Sequence, residues 1–215
     1  MTSLAPKVAI VGTGRHGSGY LATVMSEAGL ACGHEAWWNP TGERTSGLLA
    51  DSSWCALPWL PWHRGPVLHQ TRHPLDVISS FVKAPEWGPY LDLKHAIAGW
   101  RPDLSPVQQA ARWYLACNLS AEARADARWR VEDLGVGSPD DGCRILGDVL
   151  GNGRANAFRI ARGLAAAAAD VPTTTNDHGP GDRLTAEQLV DEIGVGVYLQ
   201  LVLMAHRYGY ELPYA

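Results

Sequence analysis

The sequence has few of the features that mark disulfide-rich or nucleic-acid-binding proteins. Its four cysteines stand far apart and form no CxxC pair, a density too low for a disulfide scaffold. Charged residues make up only 19% of the chain, with 18 basic against 22 acidic side chains, so no overall positive field attracts nucleic acid. We therefore expect reduced thiols, no nucleic-acid partner, and a local site for any anion that is bound.

Long hydrophobic runs are also missing. The longest apolar stretch, residues 193–205, spans 13 positions and includes Gln200, whereas a helix needs about 20 residues to cross a bilayer. Glycines at positions 12 and 14 interrupt the first apolar run, so the N-terminal segment lacks the apolar core of a signal peptide. These absences predict a cytoplasmic protein that does not interact with membranes.

Strand-like and helix-like segments alternate along the chain. Apolar residues form 46% of the 215, enough for the core of a single domain that covers residues 1–215. Residue patterns predict strands at 7–11, 30–34, 67–71 and 128–131, and helices at 20–28, 74–81, 107–124, 156–170 and 186–208. The alternation favours a P-loop-like three-layer α/β domain, in which helices flank a central parallel sheet and ligands bind at the carboxyl ends of its strands.

Three segments lack a regular period. Residues 37–62 contain prolines, glycines and five of the nine tryptophans, and we expect an irregular loop there. Residues 85–106 are broken by proline, glycine and tryptophan, and residues 171–183 contain two prolines and two glycines. Because long irregular loops are more often functional than decorative, the tryptophan-rich segment is a candidate for ligand contact.

A glycine-rich segment, GTGRHGSG at residues 12–19, lies between the first predicted strand and the first predicted helix. Backbone N–H groups in such a turn converge on an anion at the positive end of a helix, so we expect an oxyanion site. In one interpretation, Gly12, Gly14 and Gly17 form a GxGxxG dinucleotide fingerprint, with Glu35 as its ribose-binding acid. In the other, the loop cradles phosphate and Arg15 points at the anion, without the Gly-Lys-Ser/Thr ending of an ATPase or kinase.

A second motif, RHPLDVISS at residues 72–80, distinguishes the two interpretations. It places Arg72 at the end of a predicted strand and Ser80 two helical turns later, where both side chains can face one phosphate. A dinucleotide-binding fold does not require this pair. Together the two motifs resemble the sulfotransferases that use 3′-phosphoadenylyl sulfate (PAPS). In that family a strand-loop-helix binds the 5′-phosphosulfate, and an R-[ND]-P-x-D-x-x-x-S element binds the 3′-phosphate.

The resemblance implies cofactor-binding residues in both motifs. They are Gly12, Gly14, Arg15, His16, Gly17, Ser18, Gly19 and Tyr20 in the first, and Arg72 and Ser80 in the second. The segments WRVEDL, residues 129–134, and RYGY, residues 207–210, look like the family's YEDL element and its C-terminal ending. Val131 departs from the family tyrosine and puts the adenine contact in doubt. His178 and Arg183 loosely match a basic loop over the 3′-phosphate, although a solvated loop fits them better.

The resemblance also implies a division of catalytic roles. Arg15 stands where the family has a Lys or Arg that neutralises charge on the leaving phosphate oxygen, and the arginine form looks like the carbohydrate and tyrosylprotein sulfotransferases. Tyrosylprotein sulfotransferases have a catalytic glutamate about one strand-helix-strand unit further on, which implies Glu35 as the general base and His34 as the alternative. Glu35 could equally be a capping or ion-pairing residue. No His, Cys or carboxylate spacing suggests a metal site, and the family needs none.

The acceptor site is expected beside the base. Trp37 and Trp38 directly follow Glu35 and could offer flat faces to a ring, whereas the competing interpretation is a packed cluster of tryptophans beneath the loop. The predicted function is transfer of a sulfuryl group from PAPS to a hydroxyl of a small-molecule or carbohydrate acceptor, with PAP as the product. A homo-oligomer could complete the acceptor side. The alternatives are an NAD(P)-dependent oxidoreductase and a non-catalytic nucleotide-binding module.

Overall fold

The computed structural model describes residues 5–83, 91–99, 101, 103–134, 141–172 and 183–213. Five strands in these residues form one sheet. They are β1 Val8–Val11, β2 Cys32–His34, β3 Ala50–Ser52, β4 Val67–Thr71 and β5 Ala127–Arg130. All neighbouring strands are parallel, in the order β2-β3-β1-β4-β5. The predicted α/β class, a central parallel sheet flanked by helices, is confirmed.

Helices connect most of the strands. They are α1 Ser18–Glu27, α2 Pro74–Lys83, α3 Leu91–Ala98, α4 Pro106–Glu122, α5 Asp141–Leu150, α6 Arg154–Asp170, α7 Ala186–Ile193 and α8 Val195–Arg207. A 3-10 helix spans Trp54–Trp62. Strong start signals fix two of the α-helices, because Ser105 and Thr185 each form a capping box with the glutamine three residues later.

Two hydrophobic cores lie on opposite faces of the sheet. Side chains alternate along β1, so that Ala9 and Val11 face one core whereas Val8 and Ile10 face the other. The first core is built with α2, α4, α7, α8 and the 3-10 helix, and the second with α1, α5 and α6. The sheet is therefore the middle of three layers.

The sequence-based prediction was wrong in several places. It treated all of 37–62 as irregular, yet this segment contains β3 and the 3-10 helix. The β3 sequence, Ala-Asp-Ser, has no β-branched residue, so only its pairing with β1 and β2 makes it a strand. Helices α3 and α5 were not predicted. The single final helix is two helices, because Gly194 has a φ of 75° and ends α7 before α8 begins.

The strand order creates a crevice at the carboxyl ends of β1 and β4. These two strands are neighbours, but the chain leaves β1 through α1 on one face and leaves β4 through α2 on the other. Their loops therefore diverge. In parallel α/β sheets, such a switch point is where ligands bind. Both sequence motifs, residues 12–19 and 72–80, begin at this crevice.

Three of the four cysteines, Cys55, Cys117 and Cys143, are buried, and Cys32 is partly buried. Burial raises the pKa of Cys32 to about 12, with the Asp51 carboxylate as a second cause. Within the described residues, no helix combines the length and apolarity needed to cross a bilayer.

Candidate functional site

The β1–α1 loop, residues 12–17, turns through several left-handed residues. Gly14 has a φ of 66° and Gly17 a φ of 89°, where glycine carries no steric penalty. Arg15 also has a positive φ, 58°, which is rare for a residue with a Cβ. Such backbone strain persists only where surrounding contacts hold it, and it concentrates at functional sites.

The loop backbone lies against strand β4 at Gly12 and against the residue after β5 at Gly17. A side chain at either of these two positions would clash with its neighbour. A Cβ at Gly12 would lie 2.5 Å from the carbonyl oxygen of Gln70, and one at Gly17 would lie 2.7 Å from Cγ2 of Val131. The Gln70 amide donates to the His16 carbonyl at 2.7 Å. Glycine at these two positions is therefore a packing requirement. Val131, at the position where the sulfotransferase pattern has a tyrosine, packs against the loop itself.

Two buried tryptophans brace the other side of the loop. The Trp113 indole N–H donates to the carbonyl of Thr13, and Trp54 lies against Gly14. The two rings contact each other edge to face, with centroids 5.0 Å apart. The sequence does not indicate that either ring contacts this loop, because the contact depends on how α4 and the 3-10 helix pack on the sheet.

The N-terminus of α1 faces the crevice without an internal cap. Gly17 is its N-cap and provides no side-chain hydrogen bond, and the first turn contains no acidic residue. The first N–H groups of a helix have no partner within the helix and carry partial positive charge. Ser18, Gly19 and Tyr20 therefore present backbone donors of the kind that bind phosphate or sulfate.

The structure brings Arg15, Arg72 and Ser80 together. Nε of Arg15 donates to the Ser80 hydroxyl at 3.1 Å, and Nη1 of Arg72 donates to the Arg15 carbonyl at 3.1 Å. The Tyr114 hydroxyl binds the Arg72 carbonyl at 3.1 Å and fixes the end of β4. Two guanidinium groups and a hydroxyl thus border the helix N-terminus, an arrangement suited to a multiply charged oxyanion.

The segments after β5 and at the C-terminal end meet beside Arg72. The Tyr210 hydroxyl donates to the Glu132 carboxylate at 2.6 Å, and the other carboxylate oxygen accepts from the backbone N–H of His73 at 3.2 Å. The Tyr210 hydroxyl also lies 3.5 Å from the Thr71 hydroxyl. The two shorter matches to the sulfotransferase pattern, WRVEDL and RYGY, therefore support the loop that carries Arg72.

Arg183 lies beside the second motif. Its Nε forms an ion pair with the Asp76 carboxylate at 2.6 Å, and its Nη2 lies 2.9 Å from Nδ1 of His73. This guanidinium thus joins the β4–α2 segment instead of standing free in solvent. His178 lies outside the described residues.

The two candidate bases stand at the end of β2. His34 Nε2 lies 3.0 Å from the Ser18 hydroxyl and 3.9 Å from a Glu35 carboxylate oxygen. Since both contacts use the same ring nitrogen, the three residues do not form a nucleophile-base-carboxylate relay, which needs both nitrogens. The Glu35 side chain is 20% exposed and that of His34 46% exposed, so both are accessible to a substrate.

A buried carboxylate positions Glu35. The Asp51 side chain accepts hydrogen bonds from the backbone N–H groups of Ala36, Trp37 and Trp38 at 3.0–3.1 Å. Glu35 has a positive φ of 52°, and its N–H donates to the Ser52 carbonyl at 3.2 Å. Asp51 therefore fixes the turn that projects Glu35 from the sheet edge. Asp51 was not expected at the site, because β3 has no strand signal in the sequence.

Two residues of the glycine-rich segment do not present their side chains to the crevice. The His16 ring is fully buried against Gly12, so it does not face solvent. Burial, with His69, His34 and Arg72 nearby, lowers its pKa to about 3, and the ring is neutral. The Tyr20 hydroxyl donates to the Ala168 carbonyl on α6 at 3.3 Å. At both positions only the backbone is left to bind a ligand.

The tryptophans of residues 37–62 divide between core and surface. Trp54 is fully buried and Trp38 is 9% exposed, and both belong to the core on one face of the sheet, as the packed-cluster interpretation predicted. Trp37, Trp38, Trp59 and Trp62 line a cavity of about 740 Å³. Among the described residues, its lining includes no member of the β1–α1 loop, nor Arg72 or Ser80. The tryptophan cavity and the anion crevice are therefore separate, and Glu35 lies in the chain between them.

No cluster of histidine, cysteine or carboxylate side chains suited to a metal ion occurs in the part of the chain that the structure describes. The positive charge at the crevice comes from the side chains of Arg15 and Arg72 and from the α1 N-terminus.

Replacing Asp51 tests whether its carboxylate holds the turn at Glu35. Asp51→Asn exchanges an acceptor oxygen for an NH₂ group, so at least one buried backbone N–H loses its partner. We expect the free energy of unfolding, measured by urea denaturation, to fall by about 2 kcal/mol. Asp148→Asn on the exposed side of α5 is the matched control and should stay within about 0.5 kcal/mol of wild type. Equal stability of Asp51→Asn and wild type would contradict the assigned role.

Comparison with known proteins gives no relative. No protein-family model, no curated protein and no solved structure matches this chain.

Proposed function

We propose that this protein is a PAPS-dependent sulfotransferase that modifies a hydroxyl of a small-molecule or carbohydrate acceptor. The observation that carries the proposal is the contact between two distant motifs at one crevice. Arg15 of the β1–α1 loop binds Ser80, and Arg72 of the β4–α2 segment binds the Arg15 carbonyl. These are the residues on which the resemblance to sulfotransferases rests.

The crevice fits a ligand with phosphate and sulfate groups. A Cβ at Gly12 or Gly17 would collide with Gln70, His16 or Val131, so glycine at these positions lets the loop pack against the end of the sheet. The uncapped end of α1 supplies N–H donors, and the two arginines supply charge and planar, bidentate geometry. A Mg-nucleotide site of the usual kind is disfavoured, because the loop ends in Gly-Ser-Gly without the lysine that contacts the phosphates.

The strand order argues against the dinucleotide alternative. In a Rossmann sheet the second strand lies beside the first, so its terminal acid reaches the ribose of a nucleotide on the first loop. Here β3 lies between β1 and β2. The sheet order is therefore not that of a Rossmann fold, and Glu35 does not end the strand next to β1. A general base that contacts an acceptor has no such requirement.

In the proposed reaction, the side chains of Arg15, Glu35 and His34 each have a separate role. PAPS supplies the sulfuryl group and a good leaving group. Arg15 faces the loop anion site, where its guanidinium stabilises charge that develops on the leaving oxygen. Glu35 accepts the proton of the acceptor hydroxyl as that oxygen bonds to sulfur. His34, hydrogen-bonded to Ser18, links the base to the first turn of α1.

Ligand-induced stabilisation tests the cofactor assignment. PAP should raise the melting temperature of the wild-type protein, whereas NADH should not, because a ligand that binds only the folded state stabilises it. Arg72→Ala should weaken PAP binding about tenfold or more, and Ser80→Ala about threefold, since the arginine contact is charge-assisted.

The exposed Arg154 at the start of α6 provides the matched control, and Arg154→Ala should bind PAP like wild type. A thermal shift with NADH and none with PAP would support the dinucleotide alternative. Wild-type PAP affinity in both site variants would show that the motif match is accidental.

Glu35→Gln tests the base. The substitution keeps the shape of the side chain and removes its basicity, so kcat should fall by about 10²-fold while PAP affinity is unchanged. The measurement is transfer of label from radioactive PAPS to an acceptor panel, alongside PAP titration. His34→Gln should lower kcat less. If Glu35→Gln is as active as wild type and His34→Gln is inactive, the base is His34.

A further inference from the structure

The tryptophan cavity has the size and composition of a small-molecule site. Its volume of about 740 Å³ lies within the 300–1,000 Å³ typical of ligand pockets. Trp59 is 53% exposed and Trp62 is 72% exposed, with their ring centroids 6.1 Å apart. Two large aromatic rings left open to solvent beside a cavity are unusual for residues that serve packing alone.

Among the described lining residues of this cavity one is cationic, Arg44, and it belongs to a closed loop. The Thr45 N–H donates to the Ala36 carbonyl at 2.9 Å, which joins the two ends of residues 36–45. Within the loop, the Asn39 side chain accepts from the Thr41 N–H at 3.0 Å. The Arg44 guanidinium lies over the Trp37 ring, 5.3 Å from its centroid, and lines the cavity.

The charge of Arg44 is not neutralised within the described part of the chain. No carboxylate there lies within ion-pair distance of it, whereas Arg130, Arg183 and Arg207 each pair with an acidic side chain. A guanidinium stacked on an aromatic ring keeps its N–H edges available for hydrogen bonds. An anionic group of a ligand in the cavity would therefore find a preorganised partner.

The cavity lies next to the proposed base. Glu35 is two residues before Trp37, and the turn between them is fixed by Asp51. Cys55 lines the cavity, and its pKa is raised chiefly by burial and next by the negative charge of Glu35. The cavity therefore begins two residues after the proposed base, at a turn whose backbone is held by Asp51.

We propose that the tryptophan cavity binds the acceptor and selects a hydroxylated ring that carries a carboxylate or other anionic substituent, with Arg44 as the specificity-determining residue. That this ring is the acceptor rests on the proposed sulfotransferase function. That the cavity binds such a ring does not depend on that function. The tryptophan faces hold the ring, and Arg44 binds the anion. The same chemistry occurs in phenolic acids and in acidic sugars.

Equilibrium binding of matched ring compounds tests this proposal. Tryptophan fluorescence is titrated with 4-hydroxyphenylacetate and its neutral counterpart 4-(2-hydroxyethyl)phenol, and in a second arm with glucuronate and glucose. In at least one pair, the anionic compound should bind about tenfold or more tightly than the neutral one. The arm with the larger ratio distinguishes a phenolic from a sugar ligand.

Variants of Arg44 then separate charge from shape. The affinity ratio of the anionic to the neutral compound should fall close to one in Arg44→Gln, and Arg44→Lys should keep most of it. Arg154→Gln, the exposed control, should leave the ratio unchanged. Equal binding of both members of each pair to wild type, a ratio that survives Arg44→Gln, or no binding at all would overturn the proposal. PAP binding is measured on the same samples. If PAP fails to bind while the anionic ring binds through Arg44, the proposed enzymatic function fails and the ring site stands.

Discussion

The close approach of the β1–α1 loop to strand β4 is the constraint on which the crevice depends. A side chain at Gly12 would collide with Gln70, and one at Gly17 would collide with Val131, so only glycine fits at these two positions. This contact brings the Arg15 carbonyl to Arg72 and the Arg15 side chain to Ser80. A larger residue at either glycine would lift the loop, and the contacts between the two motifs would be lost.

A second constraint acts at the other side of the sheet. The buried Asp51 carboxylate accepts hydrogen bonds from three backbone N–H groups in place of water. These bonds fix the turn that begins at Glu35. That turn leads from Glu35 to Trp37 and Trp38, which line the tryptophan cavity. The proposed function assigns anion binding to the β1–α1 loop, proton transfer to Glu35 and ring recognition to the tryptophan cavity, and separate contacts fix these three parts.

The sequence predicted the features that are encoded locally. Glycines at 12, 14 and 17 identified a tight loop, and the predicted bounds of β4, residues 67–71, were correct. It could not predict features that arise from tertiary contact. The three residues of β3 carry no strand signal of their own. The burial of His16 and the burial of Trp54 against the loop are decided by residues distant in sequence. The sequence therefore indicates the candidate site residues more readily than the tertiary contacts that position them.

The central claim is that the β1–α1 loop and the β4–α2 motif form one anion site for a phosphorylated nucleotide. A crystal structure of the protein soaked with PAP tests it most directly. The claim predicts one phosphate at the first turn of α1, within hydrogen-bond distance of the Ser18 backbone N–H, and the other bound by Arg72 and Ser80. Well-ordered PAP at any other place on the protein, or a crevice that stays empty at saturating PAP, would contradict it.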